Sequence, residues 1–198
     1  MRTVTGLFDN YRDAESAVSR LESAGIVADD ISIVSNNGDG RYTDESNAAE
    51  GAGTGAGIGA LVGGTGGLLT GLGLMAIPGV GPVVAAGWLA ATAVGAVAGA
   101  AVGGATGGIV GALTEEGVSE SEAHVYAEGV RRGGTLVTAR VDDSRYAEVD
   151  GILKGESWVD PVARRRSYEQ EGWTGFDPTR DPYNADEITK ERGRYPRV

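Results

Sequence analysis

Residues 51–114 read GAGTGAGIGALVGGTGGLLTGLGLMAIPGVGPVVAAGWLAATAVGAVAGAAVGGATGGIVGALT. They contain no charged residue, although charge is frequent on both sides. Glycine recurs at every fourth position, at Gly51, Gly55, Gly59, Gly63, Gly67 and Gly71. After Pro78-Gly79-Val80-Gly81-Pro82 the spacing resumes at Gly87, passes through Ala91, and continues at Gly95, Gly99, Gly103, Gly107 and Gly111. An interior glycine costs a helix up to about 1 kcal/mol relative to alanine, so composition alone argues against helix. The spacing argues for it. Small residues every fourth position line one slowly drifting stripe, along which two helix backbones can approach closely. The reading is a glycine-zipper helical hairpin that turns at Pro78, Gly79, Gly81 and Pro82.

The segments around this insert read as two halves of one small α+β domain. Thr3–Phe8 is β-branched and aromatic, as a strand requires. Asp9 or Asn10 caps a helix whose apolar residues Ala14, Ala17, Val18 and Leu21 share one face. Gly25 ends that helix, and Ile31–Ser35 is a second strand. On the far side, Ser119 and Glu122 form a capping box for a helix to about Arg132. Thr135–Val141 is a third strand. A helix with Tyr146, Val149, Ile152 and Leu153 inward follows, and Ser157–Val159 is a short fourth strand. The sum is β-α-β twice over, a ferredoxin-like split β-α-β domain interrupted by the glycine-zipper helical hairpin. Two helices cover one face of such a sheet. The helix from Ser119, the insert or a second subunit is expected to cover the other.

Four segments are expected. Residues 1–50 hold the first β-α-β half and a polar linker, and 51–114 hold the hairpin insert. Residues 115–161 hold a helix and the second half, and 162–198 form a polar, partly disordered, mostly extended tail. Asp186–Arg194 is a candidate short helix in that tail, and Trp173 and Phe176 are its candidate docking residues.

The 198 residues carry a formal net charge of −11, which opposes binding to nucleic acid phosphates. There is no cysteine, so disulfide and thiolate chemistry are excluded. The N-terminus lacks an apolar signal core, and a cytoplasmic or membrane-associated protein is expected, with the α/β domain in the cytoplasm. His124, the single histidine, reads as a solvated or capping residue. Loose glycine-loop matches near Gly71 and Gly73 lack the strand–loop–helix context and the lysine of a phosphate loop. Arg164-Arg165-Arg166 reads as a solvated run. No catalytic, cofactor or metal site is expected.

The split domain, Ala76-Ile77-Pro78-Gly79-Val80-Gly81-Pro82-Val83, and Glu128-Gly129-Val130-Arg131-Arg132-Gly133-Gly134 together resemble bacterial general stress proteins of the YflT type. Relatives of that type are often labelled low-temperature-induced proteins. The resemblance implies stress-linked expression without enzymatic activity. The expected function is a non-enzymatic stress-response protein whose insert mediates self-assembly into a homo-oligomer, or association with membrane lipid through residues 51–114. The alternative is a soluble, oligomeric ferredoxin-like sensor that binds a small molecule.

Overall fold

The structure is a computed structural model that describes residues 1–40, 73–92, 108–155 and 157–195. Those residues form a mixed α+β body with a five-stranded sheet and seven helices. The strands are β1 (Arg2–Phe8), β2 (Ile31–Asn36), β3 (Gly73–Ile77), β4 (Gly81–Ala86) and β5 (Thr135–Val141). Their order is β1-β5-β2-β4-β3, with every neighbouring pair antiparallel. The helices are α1 (Tyr11–Ser23), α2 (described over 88–92), α3 (Ile109–Glu115), α4 (Glu120–Arg131), α5 (Tyr146–Leu153), α6 (Pro161–Gln170) and α7 (Ala185–Arg194).

β5 lies between β1 and β2, so these two strands run parallel without touching. Alternation along the strands divides the core into two layers. Val4, Phe8, Ile31, Ile33, Val137 and Ala139 face α1 and α5. Leu7, Val34 and Leu136 face the opposite side, where α3 and α4 pack with Leu113, Ala123, Tyr126 and Val130. The helix read from the Ser119 capping box therefore covers the second face, joined by α3. Burying each of the larger apolar side chains contributes about 1.5–3 kcal/mol.

The local signals of the flanks hold. Asn10 accepts a hydrogen bond from Asp13 N at the start of α1, and Ser119 does the same for Glu122 N in α4. Ser157–Val159 contributes only an isolated bridge, Trp158 opposite Phe8, plus a Val159 N–H donated to Leu7 O at 2.9 Å.

The expected helical hairpin requires correction wherever the insert is described. Gly73–Ile77 and Gly81–Ala86 are strands, and the turn at Pro78, Gly79, Gly81 and Pro82 joins them rather than two helices. The physical reason is non-local. β4 pairs with β2 from Ile33↔Ala86 to Asn36↔Val83, which satisfies a sheet edge that would otherwise stand open. The second arm is also not one helix. Gly87 has φ +88°, and a Cβ there would lie 2.2 Å from Ile31 O, so the chain bends against β2 before α2 begins. Gly108, with φ +85°, precedes α3 in the same way. Gly51, Gly55, Gly59, Gly63, Gly67, Gly71, Gly95, Gly99, Gly103 and Gly107 lie outside the described residues.

The segment expected to be a mostly extended tail with a candidate helix at Asp186–Arg194 has that helix as α7 and carries α6 as well. Asp160 caps α6 through Val162 N, with Pro161 as first helical residue, where its missing N–H costs nothing. α7 begins with a full capping box, Asn184 with Glu187. Trp173 and Phe176 are buried, as docking residues should be.

Candidate functional site

Two constructions stand out among the described residues: a buried charge cluster under the C-terminal helices, and a cleft at the outer edge of β1. The first is built on Glu128-Gly129-Val130-Arg131-Arg132-Gly133-Gly134. α4 crosses the sheet so closely that a Cβ on Gly129 would fall 2.6 Å from Leu7 Cδ2. That approach sinks the end of α4, and Glu128, Arg131 and Arg132 are all at most 5% exposed. Glu128 accepts from Arg131 Nη2 at 2.6 Å and Nε at 3.0 Å, and from Arg132 Nε at 2.7 Å. Arg132 Nη1 donates onward to Glu171 at 2.7 Å and to Glu191 of α7 at 3.1 Å. Its guanidinium also lies 4.0 Å from the Tyr168 ring centroid.

Neighbouring contacts extend this latch. Arg164 makes a two-pronged pair with Asp9 at 2.7 and 2.9 Å, and its guanidinium stacks 3.6 Å from the Tyr195 ring. Arg192 donates to Asp39 at 3.0 Å and to Gly133 O at 2.7 Å. Phe176 N–H donates to His124 Nδ1 at 3.0 Å. The β3–β4 turn joins in, because Gly79 sits against Pro178 and Gly81 against Pro182. The cluster is therefore a seam between body and C-terminal helices, with its charges paired.

Sequence reading missed Arg164, taken as solvated, and His124, which holds the loop after Trp173. The signal for Arg164 was present. Asp160-Pro161 predicts a helix, and on that helix Arg164 and Tyr168 fall on the same face, four residues apart.

The second construction is a cleft of about 520 Å³ lined by β1, the α3–α4 connection and the helices on either side of the sheet. Glu116 is held by Arg140 and by Thr3 Oγ1, which donates at 3.1 Å. The hydrogen bond from Arg140 is the chief cause that holds the Glu116 carboxyl below its ordinary value, against the opposing effect of burial. Lys154 pairs with Asp150 at 2.8 Å, and that contact raises the lysine above its ordinary range. Arg2 lies 3.7 Å over the Tyr146 ring. Burial, followed by negative charge from Glu122, Asp150 and Asp160, pushes the Tyr126 phenol well upward.

Of the hairpin-zipper residues, Gly87 stands at the bend after β4 and Gly111 is half-buried within α3. No group of side chains able to hold a metal ion occurs among the described residues, and no helix there is long and apolar enough to cross a membrane.

The fold and seam define a small α+β protein whose C-terminal helices are latched by buried charge. Residues 3–79, under half of the chain, match the family model of the heat induced stress protein YflT domain. Over that stretch the chain is similar to the YflT-type domain, in line with the resemblance, and the match supports a general stress-response role. The match runs from β1 through β2 and ends inside the β3–β4 turn. No curated protein and no solved structure matches the chain.

Proposed function

We propose that this protein is a non-enzymatic general stress-response protein that acts by self-assembly through the glycine-rich residues of its insert, 51–72 and 93–107. The observation that carries the reading is how those segments are tethered. β2 and β3 flank the first, and α2 and α3 flank the second, so each begins and ends on the folded body. Small-residue stripes that pair between chains would then bring bodies together.

The tethering also favours assembly over membrane insertion. β4 and α3 claim the ends of the second arm, with Val83, Val84 and Leu113 fully buried. A ferredoxin-like body fits the same reading. Its support is β5 between β1 and β2, α1 and α5 on one face, and the Trp158 bridge beyond β1, with β3–β4 as an addition.

The test is sedimentation of the full chain without detergent, beside Gly63→Leu and Gly99→Leu. Self-assembly predicts a wild-type oligomer that the leucines break, because their side chains force apart any stripe they interrupt. A monomeric wild-type protein would refute the proposal. Pelleting that resists carbonate and yields to detergent would replace it with membrane association.

A further inference from the structure

β1 pairs with β5 along one edge only. On its other edge Trp158 and Val159 make a brief contact at Phe8 and Leu7. Because Leu7 O points outward to Val159, alternation points the N–H and C=O groups of Thr3 and Thr5 outward too. These groups have no backbone partner among the described residues. The chain does not continue along them because Asp160 and Pro161 divert it into α6. The place opposite Arg2–Gly6 is thus a strand position that the chain itself starts and abandons.

That position is the 520 Å³ cleft. Two residues that line it, Thr5 and Trp158, carry a hydroxyl and an indole N–H that are closed off from solvent and have no hydrogen-bond partner among the described residues. The outward main-chain groups of Thr3 and Thr5 are what an occupant with its own backbone N–H and C=O groups would satisfy. The charges indicate its sign. Glu116 and Asp150 are already paired with Arg140 and Lys154. Glu122 and Asp160 accept only cap hydrogen bonds and have no cation among the described residues. Arg2 is laid over Tyr146.

We propose that this cleft takes an extended peptide bearing lysine or arginine, added to β1 as an antiparallel strand. Main-chain hydrogen bonds to Thr3 and Thr5 hold it, and its cationic side chain sits near Glu122 and Asp160. A second copy of this chain does not fit. The β1 edge is recessed between α4 on one face and α5 on the other, and a second copy would present the same two flanking helices.

The experiment uses the full chain and a fluorescent peptide of alternating lysine and valine. Anisotropy measures affinity, and amide hydrogen exchange is followed at Thr3 and Thr5. Exchange at both amides should slow on binding. N-methylating the peptide amides that face β1 should weaken binding about tenfold or more, as the loss of main-chain hydrogen bonds requires. Glu122→Gln should weaken it several-fold, and a glutamate–valine peptide should not bind. Absence of binding overturns the proposal. So does binding that ignores N-methylation or leaves both amides unprotected, since that is attraction to an acidic surface alone.

Discussion

Glu128→Gln removes one negative charge while keeping the size of the side chain. Glu128 is 1% exposed, and it is the sole carboxylate that Arg131 meets among the described residues. Arg131 is itself 3% exposed; apart from the one amide oxygen that the substitution leaves beside it, its side-chain partners among the described residues are Asp181 O, at 3.3 Å, and the Tyr183 ring. Arg132 suffers less, because Glu171 and Glu191 remain. Breaking a buried pair from one side typically costs about 3–5 kcal/mol, since the surviving charge stays desolvated. With a urea slope of about 2 kcal/mol/M, the unfolding midpoint should fall by roughly 2 M. Tryptophan fluorescence reports the transition. Trp173 is buried close to the seam, in contact with Tyr168 at a ring-centroid distance of 5.6 Å. The Glu128→Gln/Arg131→Gln cycle isolates the pair, and the double variant should lose much less than the sum of the singles. A loss below about 1 kcal/mol for Glu128→Gln, or additive singles, would refute the assignment of the latch to this pair.

Gly129→Ala should destabilise by about 1–3 kcal/mol, because its Cβ would press on Leu7 Cδ2, and Leu7→Val in the same chain should recover part of the loss in urea titrations. Gly87→Ala should cost more, since the clash is with backbone at Ile31 O and φ is +88°; reduced thermal stability measured by circular dichroism checks it. Glu116 has a folded-state value below its ordinary one, chiefly through Arg140, so its contribution is present above the unfolded value near 4.5 and disappears as pH falls through the lowered one. Glu116→Gln should therefore lower stability at neutral pH and flatten the acid side of the stability profile below about pH 4.5; an unchanged acid slope would remove the linkage.

Much of the body was legible in local pattern. β1, β2 and β5 have alternating or β-branched runs, and α1 and α4 have caps and one-sided apolar faces that require no knowledge of neighbours. The hairpin at 73–86 was misread because its signals are ambiguous locally. A Pro-Gly turn between apolar runs suits helices or strands, and the helix preference of Ala, Leu and Met there opposes the strand preference of Ile and Val. The open edge of β2 decided it.

The C-terminal seam was hidden for a related reason. Charged residues in a polar stretch look solvated until their partners are placed. Arg164 meets Asp9 across 155 positions, and Arg132 meets Glu191 across 59. The small volume of Gly129, Gly133 and Gly134 is visible in the chain. That it lets α4 sink onto Leu7 and admits Ile188 beside Gly133 is not.

The sequence by itself determined the alternation of elements, their caps, the absence of thiol chemistry, the acidic character and the family resemblance. These depend on residue identity and on spacing over a few turns. The tertiary structure alone decided that part of the glycine-rich insert joins the sheet, that the C-terminal segment folds back over buried arginines, and that no described residue pairs with the outer edge of β1 at Thr3 and Thr5. Each follows from hydrogen-bond and charge partners far apart in the chain, which local preference cannot select and packing can.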